Sequence, residues 1–109
     1  MRKKITIILM LALLMLVSAP VSARTFVLSI GIADYDGDEH DLQRSGQDAI
    51  KFSDVMKTQT KDVVTLTSRN ATRENVIVAL AAVCSKAKEG DSIVFFYSGH
   101  GADGCIVAT

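Results

Sequence analysis

The sequence predicts an α/β protein with a parallel β-sheet, and three observations lead to this prediction. After an N-terminal leader, the chain alternates strand, helix, strand, helix and strand; the first strand is apolar on both faces; and polar turn residues follow each strand. Strands of a parallel sheet are covered on both faces and therefore read as continuous apolar runs. The alternating order favours helical crossovers that bring successive strands into one sheet.

The first 23 residues have the pattern of an export signal. Residues 2–4 are basic, residues 5–17 are apolar apart from Thr6, and Val21-Ser22-Ala23 fits a small-x-small cleavage site. The 13-residue run is shorter than the roughly 20 residues that span a bilayer. We therefore expect cleavage between Ala23 and Arg24, a periplasmic or secreted location, and no membrane association of the cleaved chain. An uncleaved membrane anchor is the alternative.

Loss of this leader changes the charge of the chain. Residues 24–109 keep nine basic residues against all 12 acidic ones, which gives a net charge of −3. A nucleic-acid-binding protein would carry a basic surplus or stripe, so nucleic acid is not an expected partner. The 86 remaining residues fall below the usual domain size of about 100 to 150 residues, which predicts one small domain or part of one.

The first half of this region contains two strands and one helix. Residues 24–33 predict a strand buried on both faces, and residues 34–41 predict a polar, acidic loop. A helix is expected over about residues 45–57, and a second strand over residues 63–67. The apolar face of the helix is predicted from spacings of three and four, at Ala49, Phe52 and Val55 or Met56.

A second helix and a third strand follow. Thr72 can cap the start of the helix, and Lys86, Lys88 and Gly90 mark its end. Its apolar side is predicted at Ile77, Leu80, Cys84 and Ala87. The third strand is expected over residues 93–97, and the apolar residues 105–109 predict the opening of a fourth.

The third strand ends in Ser98-Gly99-His100-Gly101. Ligand and catalytic sites of such sheets lie outside the carboxyl ends of the strands. Flanking glycines let the backbone turn sharply and let a substrate approach the imidazole. Spacing alone leaves two interpretations open, a functional histidine or one that caps a tight turn.

Five motifs occur along nearly the whole of residues 24–109. These motifs are Ile30-Gly31-Ile32 with Tyr35, Leu42 followed by Asp48-Ala49, Ala71-Thr72-Arg73 with Asn75, Gly90-Asp91, and Phe95-Phe96-Tyr97-Ser98-Gly99-His100-Gly101. Together, in this order and at about this spacing, they resemble the caspase-like cysteine peptidases, especially their bacterial and metacaspase-type members.

The resemblance implies a caspase-like α/β/α sandwich, of which residues 24–109 would form an incomplete, N-terminal part of the catalytic domain. It also implies a cysteine endopeptidase that cleaves peptide or protein substrates through an acyl-enzyme. His100 is similar to the catalytic histidine, and Gly101 to the residue whose N–H holds the oxyanion. Asp48 resembles a pocket residue that favours Arg or Lys at the cleaved position, although Arg44-Ser45-Gly46 also resembles a pocket for Asp.

Neither cysteine of the chain fits the nucleophile that the resemblance implies. Cys84 is expected on the apolar side of a helix, and Cys105 at the start of a strand and not at its end. The family would supply the thiol beyond Thr109, so residues 24–109 alone are expected to be inactive. A Cys84 to Cys105 disulfide stays open, because export implies an oxidising compartment.

Other interpretations remain. A degenerate caspase-like module that binds partners without catalysis is the main alternative to an enzyme. No cofactor is expected, and calcium is kept as the alternative. Asp34, Asp36 and Asp38 alternate, but Glu39 and Ser45 stand where a calcium-binding hand loop needs Gly and Glu, so a solvated turn is expected there. The oligomeric state is not predicted.

Overall fold

The computed structural model describes Lys4 and residues 23–34 and 41–109. Nearly all of the predicted signal sequence and of the acidic loop lies outside these residues. The described elements are β1 (Thr25–Gly31), α1 (Ser45–Met56), β2 (Asp62–Thr67), a 3₁₀ turn (Ser68–Asn70), α2 (Arg73–Lys86), β3 (Ser92–Ser98), β4 (Gly101–Ala102) and β5 (Cys105–Ile106).

Three of the strands form a parallel sheet in the order β2-β1-β3. Leu28 in β1 pairs with Val64 in β2 on one side and with Phe95 in β3 on the other. The predicted parallel α/β architecture is confirmed. Residues 26–32 are all buried, because β1 is the central strand and has a helix on each face.

One face of the sheet packs against α1 through small and polar residues and through a stacked pair of rings, Phe52 and Phe96, whose centroids lie 4.4 Å apart. The buried residues of α1 are Ser45, Ala49 and Ser53, one turn apart. The Ser29 hydroxyl donates a 2.9 Å hydrogen bond to the Ala49 carbonyl. At Gly31 a Cβ would lie 2.1 Å from the Ser45 oxygen, so the start of α1 can approach β1 this closely only at a glycine.

The other face packs against α2 and holds the apolar core. Leu28, Ile30, Ile32 and Ala71 are fully buried there. The predicted apolar side of α2 is wrong: Ile77 and Cys84 are exposed, whereas Val76 and Ala79 pack on this core and Val83 is buried. Residues 76–84 are apolar all round the helix, so periodicity could not select the buried face.

The predicted fourth strand does not join the parallel sheet. Cys105–Ile106 instead pairs antiparallel with Gly101–Ala102 in a short hairpin. Asp103 and Gly104 form its two-residue loop, and Gly104 takes a φ of +75°, which glycine adopts without steric cost. This turn reverses the chain after the two residues of β4, so residues 105–109 do not extend the parallel sheet. No helix within the described ranges is both long and apolar enough to cross a membrane.

Candidate active site

The carboxyl ends of β1 and β3 meet the first turn of α1. The N–H of Ile32 donates a 2.9 Å hydrogen bond to the Ser98 carbonyl, which keeps the two strands together beyond their last paired residues. The Ser98 hydroxyl then donates a 3.2 Å hydrogen bond to Oδ2 of Asp48, in the first turn of α1. Asp48 and the segment that leads to His100 therefore lie at one edge of the sheet.

His100 lies two residues beyond the end of β3 and is partly exposed. Its backbone carbonyl accepts a 3.0 Å hydrogen bond from the N–H of Val107. The Tyr97 hydroxyl lies 2.5 Å from the same carbonyl oxygen and 2.8 Å from that of Val107. These contacts connect β3 to the far side of the hairpin, so the backbone that carries the imidazole is fixed on both sides.

Gly101 is exposed and is the first residue of β4. The bond from Val107 to the His100 carbonyl makes His100 and Val107 a hydrogen-bonded pair of the hairpin. Antiparallel pairs alternate, so the next pair, Gly101 and Ile106, is of the non-hydrogen-bonded kind. The N–H of Gly101 is therefore directed away from β5, an orientation that an oxyanion donor needs.

An ion pair that sequence reasoning missed borders this edge. Nε of Arg69, in the turn after β2, lies 2.8 Å from Oδ2 of Asp34, which follows β1. The sequence contained an indication of this ion pair, because Asp34 and Arg69 each follow the end of a strand, and parallel pairing brings these strand ends together. The contact of the Tyr97 hydroxyl with the His100 and Val107 carbonyls was also not predicted. The indication in the sequence was that Tyr97 carries the only hydroxyl group in the apolar residues 93–97.

An apolar groove lies on the opposite face of the sheet. Ile30, Val76, Tyr97 and Val107 line it, and Arg73 stands among its lining residues. Tyr97 faces α2, whereas the next residue, Ser98, faces α1 and Asp48. Because successive side chains of a strand point to opposite faces, this groove and the Asp48 side are separate surfaces.

The two cysteines are free and exposed, so the expected core location of Cys84 is wrong. α2 begins at the carboxyl edge of the sheet and runs back towards the other edge, which places Cys84 in its last turn far from His100. Cys105 lies in the hairpin and pairs with Ala102. Neither cysteine stands at the carboxyl end of a strand of the parallel sheet.

Metal ligands do not converge in the part of the chain that the structure describes. No group of three His, Cys, Asp or Glu side chains there could hold an ion. Two members of the alternating acidic series, Asp36 and Asp38, and His40 lie outside the described residues.

A family model described as metacaspase, peptidase C14 domain, matches residues 27–105. This chain belongs to the metacaspase family. The matched range runs from β1 into β5 and contains Asp48, His100 and Gly101. Metacaspases are a family of cysteine peptidases, and peptidases act on peptide or protein substrates. No curated protein matches the chain.

Proposed function

We propose that this metacaspase-family chain carries the histidine half of an exported cysteine endopeptidase. His100 assists the thiol nucleophile and then protonates the leaving amine of the cleaved peptide bond. The observation that carries the proposal is the position of His100, just beyond a strand of a parallel sheet, with its carbonyl held by Val107 and Tyr97. A general acid and base needs such a fixed geometry, because misplacement by about 1 Å can cost roughly a hundredfold in rate.

Gly101 supplies a backbone N–H for the oxyanion of the tetrahedral intermediate. The orientation of this N–H away from the hairpin partner supports the role. The exposure of Gly101 also supports it, since a substrate carbonyl must reach the donor. One such donor contributes about a hundredfold or more in rate in other peptidases.

Asp48 contributes to the pocket for the residue before the cut and favours Arg or Lys there. Its exposed carboxylate is joined to Ser98, and Ser98 precedes His100 by two residues. Arg44 lies one helical turn before Asp48, and the N–H of Asp48 bonds to its carbonyl. A pocket built on Arg44 would instead select Asp, so substrate choice separates the two arrangements.

Neither Cys84 nor Cys105 is the nucleophile, and the thiol is supplied from outside these 109 residues. The location of Cys84 at the far edge of the sheet and of Cys105 in a short hairpin supports this assignment. The chemistry needs no organic cofactor. Calcium remains an ion to be tested by chelation, because of the acidic series at residues 34–38.

Export is proposed from the leader pattern of residues 1–23, with cleavage before Arg24. The activity assay therefore uses the full natural chain, expressed with its leader and purified from the exported fraction. Peptides that differ only in Arg, Lys or Asp at the cleaved position are compared, with and without a chelator. We expect thiol-dependent cleavage after Arg or Lys.

Three variants test the assigned residues. His100→Ala should lower kcat by about a thousandfold or more, since removal of a member of a catalytic pair removes most of the chemistry. Cys84→Ser and Cys105→Ser should retain activity. Loss of activity in Cys105→Ser, or full activity in His100→Ala, would overturn the assignment. A natural chain without thiol-dependent cleavage would favour the non-catalytic binding module.

A further inference from the structure

Arg24 is anchored through both of its backbone polar groups at the edge of the sheet opposite to His100. Its N atom donates a 2.8 Å hydrogen bond to Oδ1 of Asp91. Its carbonyl accepts a 2.9 Å hydrogen bond from the N–H of Ser92, the first residue of β3. One residue thus joins the start of β1 to the turn that precedes β3.

Hydrogen bonds from two backbone N–H groups stabilise the ionised form of the Asp91 carboxylate. Its second oxygen, Oδ2, accepts a 2.9 Å hydrogen bond from the N–H of Lys88. The N–H groups of Arg24 and Lys88 hold the pKa of the Asp91 carboxyl below its usual range. Asp91 is therefore a carboxylate at neutral pH, and its Oδ1 faces the N atom of Arg24.

The side chain of Arg24 fixes the position of this N atom further. Its guanidinium contacts Asp62 through two bonds, NH2 to Oδ1 at 2.8 Å and Nε to Oδ2 at 3.2 Å. The same group lies over the ring of Phe26, 4.7 Å from the ring centre. Contacts with the starts of β2 and β3 therefore hold Arg24 in place before any new charge is introduced.

Hydrolysis of the bond between Ala23 and Arg24, which the leader pattern predicts, changes the chemistry of this N atom. The reaction consumes one water, breaks the peptide C–N bond, leaves a carboxylate on Ala23 and frees an amine on Arg24. That amine binds a proton at neutral pH, since the ordinary pKa of an α-amino group is about 7.7 to 8.0. We propose that Asp91 is the binding site of the ammonium group that leader cleavage creates on Arg24.

Cleavage would therefore replace an amide hydrogen bond with an ion pair at the same contact. The inference rests on the proposed export and on processing before Arg24. Pairing raises the pKa of the amine in the folded state above its unfolded value. Its stabilising contribution is then fully present below the unfolded pKa and is lost as the pH rises through the folded pKa. Asp91 contacts this N atom directly, and the N–H of Lys88 binds the same carboxylate. The guanidinium of Arg24 pairs with Asp62. Lys61 and Glu89 are the charged neighbours of these residues in sequence.

The test compares two forms of the full natural chain without its leader. One begins at Arg24; the other begins at an N-acetylated Ala23, so that Arg24 keeps an amide N–H, no ammonium group lies beside Asp91 and the sequence from Arg24 onward is identical. The pKa of the terminal amine is measured by NMR titration, and stability is measured by urea unfolding at pH 6.5 and 9.5. Asp91→Asn is introduced into both forms. Asp62→Asn is the matched control, because it removes the partner of the guanidinium and leaves Asp91 in place.

We expect the amine of Arg24 to titrate above the ordinary range and to return towards it in Asp91→Asn. Between the two pH values, the folding equilibrium constant of the form that begins at Arg24 should fall about two- to fivefold more than that of the other form, as for an exposed ion pair. Asp91→Asn should abolish this difference, whereas Asp62→Asn should retain most of it.

An amine that titrates normally in the form beginning at Arg24, or equal pH profiles of the two forms, would overturn the ion pair and leave export intact. N-terminal sequencing of the exported natural protein identifies its first residue and tests the processing step separately. A start elsewhere than Arg24 would overturn the processing step and the inference together. The peptidase proposal is judged independently, by the cleavage assay on peptides.

Discussion

The hydroxyl of Ser98 donates a 3.2 Å hydrogen bond to Oδ2 of Asp48, although 50 residues separate the two in the chain. Ser98 is the last residue of β3, and Asp48 lies in the first turn of α1. The bond connects the segment that carries His100 to the carboxylate proposed to select the substrate. The bond holds the Asp48 carboxylate beside this segment, where we propose that it meets a basic side chain of the substrate.

Asp48→Asn should reduce kcat/KM for peptides with Arg or Lys at the cleaved position by about ten- to a hundredfold, the effect of losing one favourable charge contact of roughly 1.4 to 2.8 kcal/mol. The amide retains the size of the side chain and its bond to Ser98, so folding should persist. Asp54→Asn is the matched control, because Asp54 is an exposed acid on the same helix. Steady-state kinetics of the natural chain decide the outcome. Equal effects of the two substitutions would exclude a specific role for Asp48.

Tyr97→Phe should remove the hydroxyl that contacts the His100 and Val107 carbonyls and lower kcat several-fold, with little change in KM. The free energy of unfolding should fall by about 1 kcal/mol, the usual contribution of one hydrogen bond. Ser29→Ala controls for stability alone, since it deletes a buried hydroxyl that bonds to Ala49 on the α1 side. If both substitutions lowered kcat equally, Tyr97 would have no positioning role.

Gly31→Ala should destabilise the fold by about 3 kcal/mol, the upper end for overpacking a core. The new Cβ would meet the Ser45 carbonyl at 2.1 Å and Ala49 Cβ at 2.6 Å, and the backbone atom cannot move without shifting α1. Gly101→Ala is the comparison, because a Cβ there would find its nearest neighbour at 3.8 Å. Its free energy of unfolding should change by about 0.5 kcal/mol or less. Urea unfolding of the two variants measures both values.

Asp91→Asn should weaken the dependence of the free energy of unfolding on pH at acidic pH. The pKa of Asp91 is lowered by the N–H groups of Arg24 and Lys88, so it binds protons less readily in the folded than in the unfolded state. Its contribution to stability is therefore present above its unfolded pKa of about 3.9 and is lost as the pH falls through the lower folded value. Thermal unfolding of wild type and Asp91→Asn between pH 2 and 7 should converge at the acid end. Curves separated by the same interval throughout would contradict this linkage.

Much of the fold could be predicted from local pattern. The strand predicted at residues 24–33 is β1, and its apolar character on both faces fits its central position. Thr72 caps α2 as predicted, through a 3.1 Å bond from the N–H of Asn75 to its side-chain oxygen. The location of His100 at a strand end follows from the same kind of pattern, because an apolar run stops abruptly at glycine.

The sequence by itself determined the two helices and the three strands of the parallel sheet, since burial on both faces, capping residues and glycine-rich turns are local properties. Only the tertiary structure decided which side of α2 is buried, because residues 76–84 are apolar around the whole helix. Packing on the core that contains Ile30 and Ile32 selects Val76 and Ala79, whereas Ile77 and Cys84 are exposed. The tertiary structure also decided the order β2-β1-β3 and the meeting of Ser98 with Asp48. Such contacts depend on the packing of distant segments, and no periodicity along the chain encodes them.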